Sequence, residues 1–116
     1  MPPNPILRLY QQSLCQPCDL RWQPHADVYR TRTGWLVKLD LAGVRPEDVS
    51  VRLRKCGLTV SGIRRDWTVE DAAGHYLMEI SYNQFERSID LPCDDMERAR
   101  FEMEFRDGIL LVRLAL

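Results

Sequence analysis

Apolar and polar residues alternate in short runs along the chain from residue 26 to its end, the two-residue repeat of strands that turn one face to a core. Trp35, Val37, Leu39 and Leu41 share a face of one run. It follows Ala26–Thr31 across a Thr33-Gly34 turn, which predicts a hairpin. Gly43 and Pro46 interrupt the pattern, and it resumes with Val49, Val51 and Leu53 set against Ser50, Arg52 and Arg54. Cys56-Gly57 turns the chain into Leu58–Arg64. Phe85–Leu91, Ala99–Phe105 and Ile109–Leu114 complete the set, with Asp107-Gly108 as a strong hairpin signal between the last two. Seven or eight short strands and no sustained helical period predict an all-β fold, an immunoglobulin-like antiparallel β-sandwich over residues 26–116.

Two segments fall outside that pattern. Residues 1–25 carry Pro2, Pro3, Pro5, Pro17 and Pro24 and keep no steady period, which predicts a short irregular N-terminal arm. Ile6, Leu7, Leu9, Tyr10, Leu14, Leu20 and Trp22 give that arm an apolar surface suited to partly unfolded chains. Residues 65–84 make a connection far longer than the about 4–6 residues usual in compact domains, which predicts a task for it. Its second half is strand-like, with Tyr76, Met78 and Ile80 on one side and Leu77 and Glu79 on the other. A protruding strand with apolar residues on both faces needs a partner.

Composition narrows the function. At 116 residues the chain is one domain, able to bury roughly two-thirds of its unfolded surface. A net charge of -1 removes the basic footprint of a nucleic-acid binder. No run approaches the roughly 20 apolar residues of a membrane span. Met1–Leu9 lacks the basic and apolar regions of a secretory signal, so the expected compartment is the cytoplasm. Of 16 basic residues only Lys38 and Lys55 are lysine, a bias that suits bidentate pairing with carboxylates and that genome base composition explains equally well.

Candidate chemistry is sparse. Cys15-Gln16-Pro17-Cys18 has redox spacing, but it lies in the Pro-rich arm rather than between a strand and a helix. Zinc would need two further ligands from Cys56, Cys93, His25 or His75, which supply no second C-x-x-C. Unpaired thiols in a reducing compartment are the expectation. No cofactor, metal or enzymatic activity is expected, and Asp94–Arg98 reads as a solvated link.

Several stretches together resemble the α-crystallin domain of bacterial and plant-type small heat-shock proteins. They are Ala26-Asp27-Val28-Tyr29; Leu39-Asp40-Leu41-Ala42-Gly43-Val44 with Pro46-Glu47-Asp48; Leu58-Thr59-Val60-Ser61-Gly62; Phe85-Glu86-Arg87-Ser88-Ile89-Asp90-Leu91-Pro92; and Asp107-Gly108-Ile109-Leu110. The resemblance spans about residues 25–116. It implies an ATP-independent holdase that binds unfolding proteins and is built on dimers. In such dimers the loop strand of one subunit, here Tyr76, Leu77, Met78, Glu79 and Ile80, pairs with an edge of the other, here Val28, Tyr29 and Arg30. Arg87 shares the parity of Phe85, Ile89 and Leu91, so it faces inward or towards an interface, where it needs a carboxylate or carbonyl partner. A groove is expected between Val49–Arg54 and Phe101–Phe105, walled by Val49, Val51, Leu53, Phe101, Met103 and Phe105, which serve equally as core. The chain stops at Leu114-Ala115-Leu116, without the family's Ile-x-Ile or Ile-x-Val latch. That departure favours a dimer or small oligomer, or a non-chaperone interaction subunit that pairs with and caps a longer small heat-shock protein. A thiol redox sensor is a further alternative.

Overall fold

The computed structural model describes residues 21–66, 74–92 and 98–116. Among these, β1 (Ala26–Arg30), β2 (Gly34–Asp40), β3 (Val49–Arg54), β4 (Gly57–Arg64), β5 (Asn83–Asp90), β6 (Arg100–Arg106) and β7 (Ile109–Ala115) are strands, and Pro46–Asp48 forms one 3₁₀ turn. They make two antiparallel sheets, ordered β1-β2-β7-β6 and β3-β4-β5. The sandwich expected from the alternation is the one observed, with strand ends moved by one or two residues.

Register explains where the core sits. Val28, Val37, Val112 and Met103 form one row across the four-stranded sheet. Val37 and Val112, on the central strands, are fully buried, while Val28 and Met103, on the two edges, are exposed. Leu39, Leu41, Leu110 and Leu114 complete that layer, and Leu58, Val60, Phe85 and Ile89 close on it from the other sheet. Burying each such side chain contributes roughly 1.5–3 kcal/mol. Residues that alternate in the sequence therefore share one interior, and burial falls off towards the edges.

Two glycines are needed where they stand. Asp107 and Gly108 both have positive φ, 52° and 82°, as a tight hairpin turn requires, and the Gly108 carbonyl accepts the Leu41 amide at 2.9 Å. Gly62 lies where β4 passes beneath Phe85, and a Cβ there would collide with the Asp48 carbonyl oxygen and the Phe85 ring.

Two expectations differ from what the structure shows, and a third, the loop strand, concerns a second copy that a single chain does not contain. Residues 21–24, read from the sequence as the end of the arm, are tied to the sandwich. The Trp22 amide donates to the Gln84 carbonyl at 3.2 Å and the Glu86 amide donates to the Trp22 carbonyl at 3.1 Å, a parallel bridge against the open side of β5. Residues 74–82 form no strand in the single chain, and Gly74–Ser81 are all exposed. A strand needs a neighbouring edge for its backbone groups, and among the described residues no strand pairs with this segment. Cys56, expected as a free thiol and as a zinc candidate, is disulfide-bonded, so it has no thiolate to offer a metal. Its partner lies outside the described residues, as do Ile6, Leu7, Leu9, Tyr10, Cys15, Cys18 and residues 93–97.

An alanine Cβ at position 62 would press on the Asp48 carbonyl oxygen and the Phe85 ring, and we expect Gly62→Ala to cost about 1–3 kcal/mol, read from the denaturant midpoint at unchanged slope.

Candidate interaction surfaces

Among the described residues β1 is the outermost strand of its sheet and pairs on one side, with β2. Its open side presents the unpaired backbone groups of every second residue, a ready template for another strand. Val28 and Tyr29 are 41% and 45% exposed on it. Side chains brace this strand from within: the Lys38 ammonium stands 5.4 Å over the Tyr29 ring, and the Arg30 guanidinium 4.8 Å over Trp35. Such cation–π contacts hold β1 flat against β2 while leaving its edge open.

The loop that follows β4 carries the other large apolar surface. Tyr76 is 99% exposed, Leu77 71% and Ile80 63%, with Met78 and Glu79 exposed between them. Contiguous exposed apolar side chains of this kind are the usual mark of an interaction surface.

Both ends of this loop are pinned by arginines at the end of β4, residues that periodicity could not single out. At the entrance, Arg65 makes a bidentate pair with Asp48 beside the 3₁₀ turn, at 2.9 and 3.1 Å. At the exit, Arg64 Nη1 donates to the Ser81 carbonyl at 3.0 Å, while its Nε donates to the Ala42 carbonyl at 2.9 Å. The Arg64 guanidinium also lies 4.3 Å from the centre of the Trp22 ring. Trp22 is fixed in turn by its indole N–H to the Asn83 carbonyl at 3.1 Å and by packing against Phe85 at 5.0 Å.

The third surface lies between the edges β3 and β6. Trp22 on β5, and Arg87 donating to the Pro24 carbonyl at 3.1 Å, bring β5 beside the β1 side of the other sheet, so β3 and β6 share the opposite side. Val49, Val51 and Leu53 face inward from β3 and are half-buried against the core, as is Phe105. Phe101 and Met103 continue the same inward rows on β6, yet are 41% and 44% exposed. Phe101 and Met103 thus leave apolar surface uncovered along the β6 edge of the four-stranded sheet.

A family model for the Hsp20/alpha crystallin family matches residues 27–116. The chain belongs to the Hsp20/alpha crystallin family. Small heat shock protein C2 of Rickettsia felis is 30% identical over 94 residues, an alignment covering 78% of this chain and 58% of that protein. The chain thus spans a little over half the length of the curated relatives it matches. Among solved structures, heat shock protein 16.0 from Schizosaccharomyces pombe superposes with a TM-score of 0.68 at 31% identity, covering 82% of this chain and 87% of that one. HSP18.5 from E. histolytica does so at 0.65 and 25%, covering 81% and 88%. The sandwich is therefore an α-crystallin domain.

In this Hsp20-family chain the expected interface residues Val28, Tyr29 and Tyr76–Ile80 are all at the surface. Arg87 sits in an inward row with Val51 and Val60, and a backbone carbonyl, rather than a carboxylate, satisfies it. Of the residues assigned to a sticky arm, Trp22 is the one described, and it is half-buried and hydrogen-bonded at the root of the loop. The long indole ring finds a cation, a carbonyl and a phenyl ring there, which is why it does not hang free. Asp48, Arg64 and Arg65 were missed because their partners are distant in sequence. The Arg bias was the one signal that pointed towards such pairs.

The Arg65 hydrogen bonds hold the Asp48 carboxyl below the ordinary carboxylate value, against an opposing push from desolvation. The folded state thus favours ionised Asp48, and the pair stabilises at pH above the ordinary carboxylate range. That contribution is lost as pH falls through the lowered folded-state value. Asp48→Asn should therefore be less stable than the parent at neutral pH, with the gap closing as pH falls below the ordinary carboxylate range in acid titrations followed by circular dichroism.

Proposed function

We propose that this chain is an ATP-independent holdase that binds partly unfolded proteins and keeps them from aggregating, working as a dimer or small oligomer. The observation that carries this reading is the presence together of an outer strand, β1, and an exposed apolar segment, Tyr76–Ile80, that pairs with no strand among the described residues. Exchange of that segment between two copies satisfies both, joining it to Val28–Arg30 of the other copy, with Arg87 beside the interface. Family membership and the likeness to small heat shock proteins support the same activity.

Clients are held by differential affinity. An unfolding protein shows apolar segments that its native form hides, and these find apolar surface in the groove expected between β3 and β6 and on the arm at Ile6, Leu7, Leu9 and Tyr10. Area removed from water contributes roughly 25 cal/mol per Å² before ordering costs, so no covalent step or nucleotide is needed. Partners are then a second copy, unfolded proteins and, through the same edge, another small heat-shock protein.

Solution mass by light scattering, alone and with a heated model client, tests this. The parent should be a dimer or small oligomer that suppresses the client's aggregation. Ile80→Asp should raise the dimer dissociation constant by about tenfold or more, since a fully buried Ile contributes roughly 1.5–3 kcal/mol. A folded protein without effect on the client at any ratio would contradict the holdase reading.

The disulfide at Cys56 favours a second reading, thiol redox sensing, because Cys56 sits in the turn between β3 and β4, three residues after Leu53. The Leu91 amide donates to the Cys56 carbonyl at 3.0 Å, so the chain leading to β6 passes beside it. Loss of a disulfide typically costs about 2–4 kcal/mol, so a dithiol should lower Tm by about 10 °C. If client protection is the same in oxidised and reduced protein, sensing is ruled out.

A further inference from the structure

We infer that Arg64 is a coupling residue: it ties the seat of the arm root, at Trp22, to the exit of the 74–82 loop, so that dimer strength depends on how the arm is docked. This rests on the loop-exchange reading above. The argument starts from what one guanidinium does here. Arg64 ends β4 in the inward parity of Leu58, Val60 and Gly62, and it pairs in register with Asn83, the first residue of β5. From that point it reaches three pieces of chain that share no local sequence. Nε goes to Ala42, in the crossover between the two sheets; Nη1 goes to Ser81, one residue after Ile80; and its flat face covers the Trp22 ring.

The planar fork of arginine makes this possible, since its donors diverge at fixed angles while its face stacks on an aromatic ring. Lysine, with one compact ammonium, cannot hold two carbonyls in those directions and cover a ring. The consequence for assembly is preorganisation. Tyr76–Ile80 hang from Ser81, so fixing the Ser81 carbonyl fixes the direction in which the apolar segment leaves the sandwich. Less ordering is then left to be done on pairing, and the ordering cost sets much of a dimer's dissociation constant.

Coupling to the arm follows from Trp22. Its indole N–H is spent on Asn83 and its edge packs on Phe85, so its position and that of Arg64 are mutually determined. Anything that draws residues 21–24 off β5, such as a client engaging the arm, removes the ring beneath Arg64 and loosens the loop exit. Reciprocally, pairing of the loop with a second copy holds Arg64 and steadies the arm root.

The test is the dimer dissociation constant by sedimentation equilibrium, well below Tm, for Arg64→Met, Arg64→Lys, Trp22→Leu and the double variant Arg64→Met/Trp22→Leu. Leu58→Val, a core substitution away from the loop root, serves as the control for general loss of stability. Arg64→Met and Arg64→Lys should each weaken the dimer by about tenfold or more, and Leu58→Val should leave it unchanged despite a lower Tm. Hydrogen exchange over 74–82 should quicken in Arg64→Met while that of β2 and β7 stays slow. Trp22→Leu should weaken the dimer in the Arg64 parent and add little once Arg64 is gone. Additive effects of the two, or an Arg64→Met dimer as tight as the Leu58→Val control, would overturn the coupling. Ile80→Asp separates the two failures: if it leaves the dimer intact, the loop-exchange reading falls, whereas if it breaks the dimer and Arg64→Met does not, only the coupling falls.

Discussion

Unpaired backbone at sheet edges is the constraint on which this molecule turns. Two open sheets have four edges, and each leaves N–H and C=O groups that water or another chain must satisfy. β5 is covered at one end by Trp22, which pairs with Gln84 and Glu86. Among the described residues β1 pairs with β2 alone, and β3 and β6 are the outer strands of their sheets. A closed barrel would have removed this liability and with it the surfaces through which a binding protein works. The three-on-four arrangement instead keeps a rigid interior of Val37, Leu39, Leu58, Val60, Leu110 and Val112 and places adhesive groups at its margins.

Polar contacts decide how those margins are presented. Apolar burial fixes the sandwich, but it does not direct a loop whose own apolar residues point to solvent. That direction comes from Arg65 on Asp48 at the loop's entrance and Arg64 on Ser81 at its exit. Each is exposed or half-buried, so each adds little to global stability. Their effect is geometric, since they hold the two ends of a long loop against a body that would otherwise leave them free.

Much of the fold could be read from the chain because a strand with one buried face writes its period into the sequence. Val49, Val51 and Leu53 in β3, and Val37 and Leu39 in β2 with Leu41 just beyond it, alternate as they must to reach one core. Exposure at the edges was harder to read. Phe101 and Met103 have the same parity as Phe105, and only their place on the last strand of the sheet leaves them half uncovered. Tyr76–Ile80 has a strand's alternating pattern, yet in the single chain it forms no strand and its side chains are exposed. The contacts of Arg64 join residues 22, 42, 64 and 81, and no local pattern links positions so far apart. The disulfide at Cys56 escaped for a similar reason: four cysteines scattered through the chain do not announce which of them meet.

The central claim is that the open edge of β1 and the exposed loop satisfy one another between two copies. Amide hydrogen exchange as a function of protein concentration measures this most directly. Amides on the outer side of Val28–Arg30 and those of Leu77–Ile80 should become protected together, with one midpoint equal to the dimer dissociation constant. Protection of neither segment in a sample that is demonstrably dimeric would contradict it.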